Sequence, residues 1–197
     1  MKKIKAYFRG RKFGWWFSNS LLLVIVLMLL IPSFRIWAVS NILRLTMSSP
    51  NVEKIQDAPV PTDEEFNLVA ETATGEIIRL PEHRGNVIFI NLWATWCGPC
   101  IAEMNSLERL YNLYKDKVTF VFLSLEDPGV IKSFASRREM TIPLSWPVAY
   151  LPEMFHSNSY PTTFIINKKG SIVVKETGAS DWDSENVHEL LDELIEE

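Results

Sequence analysis

The sequence predicts an α/β domain, a β-sheet covered by helices, preceded by one membrane-spanning helix. Three observations carry this. Residues 13–34 are an uncharged run of 22 residues. Val87–Trp93 is an apolar run with the length of a strand buried on both faces. Gly98–Tyr114 and Asp183–Ile195 repeat apolar residues at helical spacing.

The N-terminal segment reads first. Residues 1–12 carry six Lys and Arg and no acid, and the run that follows exceeds the ~20 residues that a helix needs to cross a hydrocarbon core. Leu21–Ile31 is unbroken apolar sequence, with Trp15 and Trp16 placed for a headgroup belt. The positive block keeps residues 1–12 in the cytoplasm and sends the rest out. The expected organisation is a cytoplasmic basic segment at 1–12, a transmembrane signal anchor at 13–34, a juxtamembrane segment and linker at 35–60, and a folded domain at 61–197. A cleavable signal peptide is the alternative, since Ala38-Val39-Ser40 is a small-x-small triplet. A lipoprotein anchor needs an early cysteine, and the first one is Cys97.

All acidic residues follow position 50, so the exported part holds 12 basic against 24 acidic residues, a formal net charge near −12. That balance argues against nucleic acid as a partner. Arg35–Met47 reads either as a short helix on the membrane surface or as a frayed extension of the span. Ser48–Pro61, with three prolines, reads as a tether.

Phe66–Ala70 and Glu76–Leu80 flank Thr74-Gly75, the pattern of a β-hairpin opening the domain. The central strand Val87–Trp93 requires cover on both faces, which predicts helices on both sides. Gly98–Tyr114 follows as a helix and Val118–Leu125 as a strand. Asp127-Pro128 is a cap and a first-turn proline opening another helix. Between Arg138 and Ser159 the prolines 143, 147 and 152 break the periodicity, predicting loops with one short helix. Thr162–Ile166 and Ser171–Glu176 are strands joined by the turn Lys168-Lys169-Gly170. A final helix buries Val187, Leu190, Leu191 and Leu194.

The two cysteines of the chain stand as Cys97-Gly98-Pro99-Cys100, between the buried strand and the first helical turn. Free N–H groups and the helix dipole there stabilise a thiolate on Cys97. Cys100, at i+3, is close enough to form a disulfide; Pro99 costs no hydrogen bond in a first turn. Gly98 is expected to leave the approach to Cys97 open. A structural staple is a weak reading, because closing so short a loop removes little entropy. Zinc needs four ligands, and His83, His156 and His188 are scattered; haem attachment needs a histidine where Ile101 stands. No metal site and no cofactor are implied. The pattern points to redox chemistry.

Phe89–Cys100 with Glu103-Met104 resembles the active-site segment of thioredoxins, and more closely that of membrane-tethered TlpA/ResA-type thioredoxin-like proteins. Tyr160–Ile166 with Lys169-Gly170 continues the resemblance, which covers roughly residues 60 to 195. It implies a thioredoxin-like fold with a central mixed sheet, a cis Pro161 packed against the cysteines, and a partner polypeptide lying along Tyr160, Pro161, Trp96, Gly98 and Pro99. Alternatively, Pro161 merely ends a loop. Trp93 reads as core packing and Trp96 as shield or partner contact.

Thioredoxins carry a buried aspartate where this chain has Asn91. An amide cannot exchange the proton, so the second cysteine needs another base, and Glu103 is the candidate; its plainer role is to complement the helix N-terminus. The leading expectation is a thiol-disulfide oxidoreductase, with Cys97, Cys100 and Glu103 as its catalytic residues. The resemblance implies that it works as a reductant outside the bacterial cytoplasmic membrane, supplied by a membrane electron-relay protein and serving disulfide-containing exported substrates such as apocytochrome c. An oxidase or isomerase stands as the alternative. A thiol peroxidase fits less well, since Ala94 occupies the place of a Thr or Ser, and so does a copper-binding or scaffold module, for which only His156 is loosely placed.

Overall fold

The computed structural model describes residues 19, 20, 22–26, 28 and 30–197. The basic segment 1–12 and part of the expected anchor 13–34 lie outside the described residues. Among the described residues, no helix is long and apolar enough to cross a membrane.

Seven strands build one mixed sheet: β1 (Val69–Thr72), β2 (Ile77–Arg79), β3 (Val87–Leu92), β4 (Val118–Leu123), β5 (Leu144–Pro147), β6 (Thr162–Ile166) and β7 (Ile172–Thr177), in the order β2-β1-β5-β4-β3-β6-β7. β3, β4 and β5 run parallel. β6 lies antiparallel on β3, β7 on β6, and β1 on both β5 and β2. The helices are α1 (Pro32–Thr46), α2 (Gly98–Tyr114), α3 (Pro128–Arg138) and α4 (Glu185–Glu196).

All six residues of β3 are buried. Alternation along it sorts the core: Val87, Phe89 and Trp93 join the apolar faces of α2, α3 and α4, while Ile88, Ile90 and Leu92 join Phe66, Leu68, Leu80, Phe155 and Phe164. The expectation of helices on both faces is therefore corrected. All three long helices of the domain share one core, and the second is covered by loop residues and by the 3₁₀ turns Leu80–His83 and Glu153–Phe155. Asn91 has the parity of Phe89 and Trp93, which turns it toward α2.

Two further expectations change. β5 lies inside the stretch read as loop, where prolines obscure a strand of only four residues. The segment read as a tether runs along the domain instead: Ile55 N donates to Val173 O, Asp181 N to Ser48 O, and Asn186 Nδ2 to Pro50 O. The cap at Asp127 is present, its side chain accepting from Gly129 N.

Candidate functional site

The site forms where β3 ends and α2 begins. Cys97 is the N-cap of α2, in extended conformation (φ −84°, ψ 101°), and its Sγ accepts a 3.1 Å hydrogen bond from Cys100 N. Cys97 and Cys100 are joined as a disulfide with Cα atoms 5.3 Å apart. Both are almost fully buried. Reduction places the Cys97 sulfur at the free N–H end of a 17-residue helix, a position that favours negative charge.

Beside the disulfide stands an aromatic pair. Trp96 is 59% exposed, and the Tyr160 ring meets it edge-on at 5.8 Å. The Tyr160–Pro161 peptide is cis and Pro161 is buried. Burial, aided by the charge of Glu126, raises the Tyr160 hydroxyl above its ordinary pKa. Glu126 also fixes the turn into the active site: its carboxylate accepts from Thr95 N (2.6 Å), Thr95 Oγ1 (2.8 Å) and Ser124 Oγ (3.2 Å). Sequence reasoning did not reach Glu126, which lies in the loop between β4 and α3.

Trp93 is packing, as expected: it is buried, meets the Phe134 ring at a tilt of 46° and donates Nε1 to Phe122 O. Gly98 is not the open approach anticipated. α1 lies across the start of α2, and a Cβ on Gly98 would meet Val39 Cγ1 at 3.2 Å and Ile36 O at 3.6 Å. Gly98 is buried under this helix and serves close packing. Arg44 Nη2 adds a 3.3 Å bond to Ile101 O.

Glu103 lies one turn beyond Cys100 on α2, completely buried. Asn91 Nδ2 donates to Oε1 (2.9 Å), while Trp182 Nε1 (3.0 Å) and Ser180 N (3.2 Å) donate to Oε2. Burial pushes its carboxyl pKa up to about 8, against the pull of those three donors. An acid that titrates near neutrality inside the core, one turn from a redox cysteine, can hold or release a proton there. Asn91 is thus a partner of the acid. Ser180 and Trp182, which complete the cradle, went unnoticed in the sequence; a tryptophan in the polar run Ala179–Ser184 was the available signal. His156, the loosely placed copper candidate, is engaged elsewhere, with Nε2 2.8 Å from Leu151 O.

Comparison with known proteins agrees with this geometry. The Redoxin family model matches residues 54–194. The chain is 34% identical over 125 residues to the thioredoxin-like protein YneN of Bacillus subtilis, covering 61% of this chain and 69% of that one. It is 32% identical over 119 residues to the thiol-disulfide oxidoreductase ResA of Halalkalibacterium halodurans, covering 59% and 68%. Among solved structures, a thiol:disulfide interchange protein DsbE from Chlorobium tepidum superposes with a TM-score of 0.57 at 20% identity, covering 76% of this chain and 97% of that one. StoA from Bacillus subtilis gives 0.53 at 24% identity, covering 66% and 95%. These two share the fold. With a Redoxin match across most of the chain and an intact Cys97–Cys100 pair at the head of α2, the chain belongs to the redoxin family as a thioredoxin-fold thiol-disulfide oxidoreductase.

Proposed function

We propose that the chain is a membrane-anchored reductant of disulfides in extracytoplasmic proteins, with residues 13–34 as its anchor in the bacterial cytoplasmic membrane and residues 1–12 in the cytoplasm. The observation that carries the chemistry is the position of Cys97 as N-cap of α2, bonded to Cys100 N and bordered by the Trp96–Tyr160 pair. In the reduced protein the Cys97 thiolate attacks one sulfur of the partner disulfide, forming a mixed disulfide and releasing a partner thiolate that takes up a proton. Cys100 passes its proton to the Glu103 carboxylate and attacks Cys97 Sγ, which breaks the mixed bond and expels the second partner sulfur as a thiolate; that thiolate takes up a proton from water, and Glu103 returns the one it accepted to solvent. The partner gains two electrons and two protons, and the chain is left as its Cys97–Cys100 disulfide. A membrane dithiol protein fed from the cytoplasm resets it.

Trp96, Tyr160, Pro161 and Pro99 border the attacked bond, while Gly98 is covered by α1. Trp96 and Tyr160 offer an exposed aromatic surface to the partner, and the backbone of Tyr160 offers strand-like hydrogen bonding. Gly98 and Pro99 form the first turn beneath. The names of the ResA relatives describe thiol-disulfide oxidoreductases, which supports this class of substrate; the cysteine pairs of apocytochrome c are the specific candidates.

The test is trapping in cells with Cys100→Ser, which stalls exchange at the Cys97 mixed disulfide. Recovery of exported proteins linked through Cys97 supports the proposal. A reduction potential near that of a strong oxidant, about −120 mV rather than about −270 mV, assigns the opposite direction.

A further inference from the structure

Helix α1 has two apolar sides. At about 100° per residue, Ile36, Val39, Ser40, Leu43 and Arg44 fall on one side, and Trp37, Asn41, Ile42 and Leu45 on the other. The first side is docked: Ser40 is buried, Val39 sits over Gly98, and Arg44 reaches Ile101 O. The second has no protein cover among the described residues, with Trp37 60%, Ile42 63% and Leu45 88% exposed. Asn41, within this outer side, already donates Nδ2 to Trp37 O, so its amide is partly satisfied before it meets any environment.

The chain that leads into α1 indicates what covers this side. Leu22, Leu23, Leu30 and Ile31 are each more than half exposed. They belong to the uncharged run that ends at Phe34, two residues into the helix. The apolar outer side of α1 is therefore continuous with the segment assigned to the bilayer. Charge agrees. The domain beyond residue 50 carries a formal net charge near −12, whereas residues 1–50 hold no acid and α1 holds Arg35 and Arg44, so the helix, not the domain surface, suits anionic headgroups.

We propose that α1 lies in the membrane interface, its Trp37–Ile42–Leu45 side on lipid and its Ile36–Val39–Ser40 side on α2, and so holds the Cys97–Cys100 disulfide next to the bilayer surface. Packed helices lie ~8–10 Å apart, so the first turn of α2 stands about one helix diameter from the lipid. Between α1 and the active site runs a groove of about 330 Å³, bordered by Pro32, Arg35, Ile36, Trp96 and Pro99. It opens beside Trp96. A partner disulfide held near the membrane has the shortest route to it.

This rests on the anchored reading of residues 13–34, and the experiment separates the two. The full chain carrying Cys97→Ser and Cys100→Ser receives single reporter cysteines at positions 23, 37, 42, 45 and 113. Each is labelled with a fluorophore in vesicles of phosphatidylcholine and phosphatidylglycerol, then challenged with brominated lipid or an aqueous quencher. The expected result is deep lipid quenching at 23, interfacial lipid quenching at 37, 42 and 45 with several-fold lower aqueous quenching, and aqueous quenching alone at 113. Positions 37, 42 and 45 in water while 23 is in lipid would overturn the inference and leave the anchor standing. Shielding of those three from both quenchers would overturn it too, by showing a protein cover such as a second copy. Position 23 in water would overturn both readings. As a functional arm, Ile42→Glu with Leu45→Glu should slow reduction of a lipid-tethered disulfide peptide several-fold and leave that of the same peptide free in solution unchanged; equal rates on the tethered peptide count against the inference.

Discussion

Asn91 Nδ2 donates to Glu103 Oε1 at 2.9 Å and to Thr163 Oγ1 at 2.9 Å, tying the central strand β3 to the active-site helix and to β6. The position that differs from thioredoxin thus supports the acid beyond Cys100. Its donated bond favours the ionised carboxylate, and burial opposes it.

Asn91→Ala should therefore raise the Glu103 pKa further. A hydrogen bond to a charged group contributes about 1.5–3 kcal/mol, equivalent to about 1–2 pH units. If Glu103 accepts the Cys100 proton, the rate of mixed-disulfide decay should rise with pH through an inflection near the Glu103 value, and this inflection should move upward in the variant. Single-turnover kinetics across pH measures it. An unmoved inflection would separate Asn91 from proton transfer.

Glu103→Gln tests the acid itself, and the surroundings allow the exchange. The Gln oxygen can take the place of Oε2 beneath Trp182 and Ser180. Its NH₂ then faces Asn91, whose amide can turn to accept from it while Thr163 donates. The wild-type carboxyl has a folded pKa of about 8, above its ordinary 4.5. Its contribution to stability is therefore full below about 4.5 and is lost as pH rises through about 8. The Gln variant lacks this loss. Urea denaturation should show it gaining on the wild type between about pH 5 and about pH 8, with roughly 4 kcal/mol as an upper bound. A constant difference would mean that Glu103 titrates normally.

Trp96→Ala removes an exposed ring that touches Tyr160. Exposed side chains add little to stability, whereas aromatic anchors at interfaces often contribute more than 1 kcal/mol to binding. The second-order rate of protein-disulfide reduction should fall about tenfold, with thermal unfolding nearly unchanged and a small aromatic disulfide reduced within about twofold of wild type. Stopped-flow assays on the two substrates decide the matter. Equal losses on both would point to a damaged Cys97 instead.

Where a single segment sets the pattern, the sequence was legible. β3, α2, α4 and the cap at Asp127 follow from apolar spacing and local chemistry, and the cysteine pair follows from its place between strand and helix. What was not legible needed a distant partner. β5 is four residues ending in Pro147, and it exists because β4 and β1 flank it. Glu103 meets Trp182 across 79 positions of sequence. The docking of α1 left a weak signal because both sides of that helix are apolar, one toward α2 and one away from it, so no polar face marks its orientation.

The contact between α1 and α2 yields the last prediction. An added Cβ at Gly98 would lie 3.2 Å from Val39 Cγ1 and 3.4 Å from Val39 Cβ, tighter than ordinary van der Waals contact. Gly98→Ala should loosen α1, lowering stability by about 1 kcal/mol despite the better helix propensity of alanine. Val39→Ala should cost a similar amount by removing packing. In the double variant the smaller side chain makes room for the new methyl, so the combined loss should fall short of the sum by at least ~0.5 kcal/mol. Chemical denaturation of the four full-length proteins in detergent provides the cycle. Cleavage between α1 and the domain at a protease site placed at Asn51 should speed up in Gly98→Ala and return toward the wild-type rate in the double variant. Additive losses with unchanged cleavage would mean that Val39 and Gly98 are not coupled in solution and that α1 does not rest on the active-site helix.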